Sequence, residues 1–153
     1  EILDAMGARV LHTSTHNDGS DGWRDLPDLL EQSDIVSLHL PLTEATDKLI
    51  GRRAFDRMKA HAVLINTSRG GIIDEAALTD ALRDRRIAAA GLDVFAEEPV
   101  DPANPLLTLS NVVVTPHVTW YTVDTMRRYL TAAIDNCRRL RDGQPLMNVV
   151  NSG

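Results

Sequence analysis

Short apolar runs rich in β-branched residues recur along this chain, each followed by a stretch with helical spacing. They cover residues 8–12, 35–40, 62–66, 87–94 and 112–114. Their starts lie roughly 25 residues apart, the length of a strand, a crossover helix and two loops. Strands joined in that way run parallel. Nearly continuous apolar strands are expected where helices cover both faces of the sheet. The alternation therefore predicts an α/β protein built on a doubly wound parallel sheet.

The stretches between the runs read as helices. Asp74 is placed to cap a helix over residues 75–85, whose apolar face is Ala77, Leu78, Ala81 and Leu82. Leu26, Leu29 and Leu30 mark a short helix that stops before Ser33, and Ala54, Phe55 and Met58 mark another. The last helix spans 123–141 and aligns Met126, Leu130, Ala133, Ile134, Cys137 and Leu140 in one stripe, read as packing surface, with Gly143 ending it. Residues 17–22 form a turn-rich loop. Residues 1–7 read as the tail of a helix closed by Gly7, so the chain is expected to begin inside a domain.

The 153 residues are enough for one domain with a core, and 43% hydrophobic with 25% charged residues is ordinary for a globular protein. A net charge of −6 gives no electrostatic reason to expect a nucleic acid or an anionic membrane as partner. An anionic substrate would then need a local cation. Cys137 is the only cysteine, which excludes an internal disulfide and a cysteine-built zinc site and fits a cytoplasmic location. No metal is implied. No apolar run approaches the roughly 20 residues of a membrane helix.

Ligands of open parallel sheets bind beyond the carboxyl ends of the strands. The third run ends in NTSRGGIID (66–74), where Gly70 and Gly71 permit close approach and Arg69 fits either a carboxylate clamp or a surface ion pair. The fourth ends in GLDVFAEEP (91–99), an acidic loop in which Asp93 stands apart because it lies within an apolar run and needs a donor. After the fifth comes TPH (115–117), where Pro116 restrains His117, a ring that fits either a structural or a catalytic place. The second ends in LHLPLT (38–43), the wall of a flat cleft or a plain strand exit. Together these ends bring one guanidinium, one carboxylate and one imidazole to the same sheet edge, which suits an acid–base site with an anion clamp.

SDIVSLHLPLT (33–43), INTSRGGIID (65–74), GLDVFAEEP (91–99) and TPH (115–117), in this order and spacing, resemble the signature segments of the D-isomer-specific 2-hydroxyacid dehydrogenases. The resemblance implies a Rossmann-like sheet, incomplete on its N-terminal side, because the family's glycine-rich phosphate turn would fall just before Glu1. It implies that residues 1–121 are a partial NAD(P)-binding domain and that 122–153 cross back toward a separate substrate domain. It assigns Arg69 to the substrate carboxylate, His117 to proton transfer with the carbonyl oxygen, and Glu98, rather than Glu97, to supporting that imidazole. Asp93 would meet the nicotinamide carboxamide, and Leu40, Pro41, Thr67, Ser68, Arg69 and His117 would also border the cofactor. The partners implied are a small 2-oxoacid or 2-hydroxyacid and a second copy of the chain.

Cofactor choice stays open between NAD and NADP. Ser14 falls where NAD users carry an acid for the ribose hydroxyls, and the run His12, Thr13, Ser14, Thr15, His16 holds nothing to repel a 2′-phosphate. Two other readings stand beside the enzyme: an NAD-sensing oligomerisation module of the kind found among corepressor relatives, and a truncated product without turnover. Trp120 and Tyr121 fit a substrate contact, a partner contact or simple packing.

Overall fold

Four runs pair as the sequence predicts. β1 (Ile35–Leu38), β2 (Val63–Asn66), β3 (Ala89–Leu92) and β4 (Val112–Val114) form one parallel sheet in that order in the computed structural model, which describes residues 2–150. Ile35 stands opposite Val63, Val63 opposite Ala89, and Ala90 opposite Val112. This register puts Val36, Leu38, Leu64, Ala90 and Leu92 on one face, all buried.

That face is covered by α2 (Leu26–Gln32), α3 (Arg52–Arg57) and α4 (Glu75–Arg83). Leu29, Leu30, Phe55, Leu78 and Leu82 join the strand residues in a single core. The caps follow local chemistry. The Asp25 carboxylate accepts the Asp28 N–H, and the Asp74 carboxylate accepts the Ala77 N–H at 3.1 Å. The helix after Asp74 stops at Arg83, earlier than its pattern suggests, and Arg85 turns the chain with φ of 54°. Arg86 then staples that turn to the end of α3 through the Met58 and Asp56 carbonyls.

Within residues 2–117 the helices lie over one face of this α/β, Rossmann-like sheet. Ile35 is 68% exposed and Val113 71% exposed on the opposite face. The reason is topological. Strand order advances in one direction from β1 to β4, and right-handed crossovers then place every intervening helix on the same side.

Residues 8–12, expected as the first strand, join no ladder. His12 makes one isolated parallel bridge to Trp23, through His12 N–H to the Gly22 carbonyl and Arg24 N–H to the His12 carbonyl, both 2.9 Å. A β-prone run becomes a strand only beside a partner with matching hydrogen bonds, and no described strand lies next to this one. Ahead of it, α1 (Ile2–Ala5) is followed by a turn at Gly7, whose φ is 81°. Glu1 lies outside the described residues.

The chain divides into two compact units, one ending at His117 and one starting at Val118. The second holds α5 (Val123–Arg141), capped by Thr122, whose hydroxyl accepts the Thr125 N–H at 3.1 Å, and followed by Gly143 with φ of 64°. Its apolar stripe was expected to be packing surface. Along that stripe Leu130, Ile134 and Leu140 are at least half exposed. No described helix is long and apolar enough to cross a membrane.

Candidate active site

Three strand exits build the site. At the end of β2, Asn66 is completely buried and ties the following loop together. Its Nδ2 donates to the Arg69 carbonyl at 2.9 Å, while its Oδ1 accepts from the Ser68 N–H at 3.1 Å and the Ser68 hydroxyl at 3.0 Å. The backbone at Arg69 is thereby fixed, and the exposed guanidinium donates to the Ser68 carbonyl at 2.7 Å. No described carboxylate forms an ion pair with it.

Gly70 and Gly71 were read as making room for a ligand. For Gly70 the close neighbour is the protein itself. A Cβ there would stand 1.9 Å from the Phe95 carbonyl carbon and 2.3 Å from the Ala96 nitrogen. The Arg69 loop and the acidic loop are in backbone contact at this glycine. At Gly71 the tight neighbour is the flexible end of Leu42, at 2.9 Å, with Asp47 Oδ1 in ordinary contact at 3.7 Å.

At the end of β3, Asp93 is 2% exposed, and one donor to its carboxylate is Thr115, whose hydroxyl bonds Oδ1 at 2.5 Å. Glu98 follows in the loop after β3. One of its oxygens accepts the Phe95 backbone N–H at 3.0 Å, and the other lies 2.8 Å from His117 Nδ1. The His117 bond is the larger reason the Glu98 carboxyl sits below the usual carboxylate range, with the Phe95 N–H second; partial burial and the Asp93 charge oppose it. The Glu98–Pro99 peptide is cis.

Beyond β4, His117 takes a left-handed backbone, φ of 53°, which is uncommon for a residue with a side chain. Its N–H donates to the Asp93 carbonyl at 2.9 Å and to the Thr115 carbonyl at 3.1 Å. These bonds, more than Pro116 alone, hold the ring over the sheet edge.

Arg69, Glu98 and His117 line one open cleft of about 210 Å³, together with Leu42, Gly70, Gly71, Val94, Phe95 and Ala96. Apolar Leu42 and Val94 stand beside a cation and an acid–base pair, a lining that fits a flat ring next to a small anion.

The remaining residues named from sequence lie around this cleft or apart from it. Leu40 and Pro41 sit on the β1 exit just ahead of Leu42, and Thr67 and Ser68 on the β2 exit. Ser14 lies in an exposed loop, its hydroxyl bonded to the His16 carbonyl at 2.6 Å. In the same loop His12 meets Asp18 at 2.8 Å, and Asp18 is held to about 2, chiefly by the Ser20 N–H and hydroxyl and then by His12. Asn66 and Thr115 escaped the sequence reading, although a polar residue closing an apolar strand was a signal for the first.

Residues 1–119 match the family model described as D-isomer specific 2-hydroxyacid dehydrogenase, NAD binding domain. A glyoxylate reductase of Aeropyrum pernix is 43% identical over 158 residues, covering 99% of this chain and 47% of that protein. A D-lactate dehydrogenase of Lactobacillus jensenii, solved with NAD+, superposes with a TM-score of 0.86 at 36% identity, over 98% of this chain and 50% of that one. An acyclic imino acid reductase solved with NADPH and D-Arg gives 0.82 at 34% identity, over 98% and 48% of the two chains. The chain spans about half the length of the curated relatives it matches. It belongs to the D-isomer-specific 2-hydroxyacid dehydrogenase family, and its sheet and cleft lie in the part that matches that family's NAD-binding domain.

Proposed function

We propose that this protein takes part in hydride transfer between NAD(P)H and a small 2-oxoacid, interconverting it with the D-2-hydroxyacid. The observation that carries this reading is the Glu98–His117 contact at 2.8 Å in the same cleft as Arg69. A carboxylate-backed imidazole is a proton donor and acceptor, and a guanidinium beside it holds the substrate carboxylate by paired hydrogen bonds.

In this reading Arg69 orients the substrate and draws electron density from its carbonyl. His117 gives its proton to the carbonyl oxygen during reduction and takes it back during oxidation. Glu98 fixes the imidazole's orientation and stabilises its protonated form by charge. The nicotinamide, when bound, supplies the hydride. Asp93 receives its carboxamide, and Leu40, Pro41, Thr67 and Ser68 border the cofactor. Residues 122 onward lead the chain toward the substrate-binding part, and the protein pairs with a second copy.

Ser14 puts a hydroxyl where NAD users carry the ribose-binding acid, so NADPH is accepted as well as NADH. The test is made on the complete gene product, following NAD(P)H oxidation with glyoxylate, hydroxypyruvate and pyruvate. Turnover that falls about 100-fold or more in His117→Ala is expected, the scale of a positioned acid–base group. Absence of oxidation with every 2-oxoacid would replace this reading with that of an NAD-sensing module.

A further inference from the structure

The acid that meets His117 is carried on a thinly packed segment. Residues 96–99 and 101–103 are exposed, and Val100 between them is only half-buried. A loop with so little apolar contact depends on hydrogen bonds at its base for a defined shape. One side chain supplies those bonds at both ends. Glu75, the first residue of α4, accepts the Ala96 backbone N–H on Oε1 at 2.6 Å and the Asn104 Nδ2 on Oε2 at 3.0 Å. Asn104 in turn accepts the Leu106 N–H at 3.0 Å, and Leu106 is buried in the core. The entry is pressed from the other side, where Gly70 touches the Phe95–Ala96 peptide.

We infer that Glu75 is a positioning residue for Glu98: its two oxygens close residues 97–103 into a loop that presents Glu98 to His117 while half-buried Val100 packs against the core. Glu75 itself lies outside the cleft lining. A carboxylate at the first turn of a helix is favoured there by the helix dipole alone, and that plainer role would leave its oxygens free to face water. Here both are committed to another segment, in charge-assisted bonds. The chain of contacts runs from α4 through Ala96 to Phe95, whose N–H binds Glu98, and ends at the imidazole.

The test needs no turnover. Carboxyl-detected NMR follows the Glu98 titration in this chain, in Glu75→Ala, in Glu75→Gln and in Asp80→Ala. The last breaks the Arg52–Asp80 pair, whose acid shares the helix with Glu75 and makes no hydrogen bond or ion pair to residues 96–104. Thermal melts accompany each titration.

In Glu75→Ala the Glu98 midpoint should rise from its depressed position toward the ordinary carboxylate range, because the loosened loop no longer presents it to His117 and the Phe95 N–H. Glu75→Gln keeps one acceptor oxygen and should fall between, while Asp80→Ala should lower the melt without moving Glu98. An unmoved midpoint in folded Glu75→Ala, or an equal rise in Asp80→Ala, would overturn the inference. Should Glu75→Ala fail to fold, Glu75→Gln decides in the same way. Any influence of the loop on turnover rests on the proposed reaction. The titration does not, so a protein inactive on 2-oxoacids leaves this test standing.

Discussion

Both oxygens of Glu98 are engaged at once: Oε2 lies 2.8 Å from His117 Nδ1 and Oε1 accepts the Phe95 N–H at 3.0 Å. The carboxylate cannot swing from the imidazole without giving up its backbone bond as well. A charged group held from two sides has a consequence for stability. The Glu98 carboxyl is depressed in the fold, first by His117 and then by the Phe95 N–H, so its contribution is present above the unfolded-state value and is lost as pH falls through the folded one. Glu98→Gln should therefore melt lower than wild type at neutral pH, with the gap closing in acid. Melts across that range check it, and a gap that stays constant with pH would be the contrary result.

The same substitution separates charge from shape in catalysis. Glutamine keeps an oxygen for His117 but removes the negative charge that favours imidazolium. Turnover of the complete gene product should fall in both directions of the reaction, and unchanged turnover would leave Glu98 without its proposed part.

Gly70 and Gly71 should answer differently to the same added methyl group. A Cβ on Gly70 would overlap the Phe95–Ala96 backbone, at 1.9 Å from the Phe95 carbonyl carbon, whereas one on Gly71 meets a leucine methyl that can move. Gly70→Ala is expected to cost at least the ~1–3 kcal/mol typical of overpacking, and Gly71→Ala much less. Urea denaturation of the two variants gives the comparison.

Thr115 supplies a hydroxyl donor to a carboxylate that is 2% exposed. Thr115→Val keeps the volume and removes the donor, and should cost about 1–3 kcal/mol, the scale for leaving a buried polar group short of a partner. Equilibrium unfolding measures it, and a loss near zero would show that Asp93 does not depend on this bond.

Ser14→Asp places a carboxylate in the loop proposed to face the ribose end. Repulsion of a 2′-phosphate should lower kcat/KM for NADPH about tenfold or more, the effect of some 1.4 kcal/mol, while NADH use holds or improves. Steady-state kinetics with both cofactors read the ratio, and an unchanged ratio removes Ser14 from cofactor selection.

Much of this architecture was legible before any coordinates, because the relevant signals are local. Asp74 caps the helix it was expected to cap, and 123–141 is a helix over the span its period marks. The strand exits carrying Arg69, Asp93, Glu98 and His117 were visible as polar interruptions of apolar runs. The misreadings share a cause. Residues 8–12 have strand-like composition without a described strand to pair with, and Gly70, read as room for a ligand, makes room for the Phe95–Ala96 backbone. Periodicity specifies a face, and burial is decided by what stands opposite.

The sequence alone determined the alternation of strand and helix, the caps, and the set of chemical groups delivered to one edge of the sheet. These follow from preferences acting over a few residues of chain. That His117 meets Glu98 across 19 residues, Thr115 serves Asp93 across 22, and Glu75 grips Ala96 and Asn104 across 21 and 29 is the product of three-dimensional packing. Those contacts exist because parallel pairing stacks the strand exits side by side. No local pattern encodes which loop then lies within hydrogen-bonding reach of which.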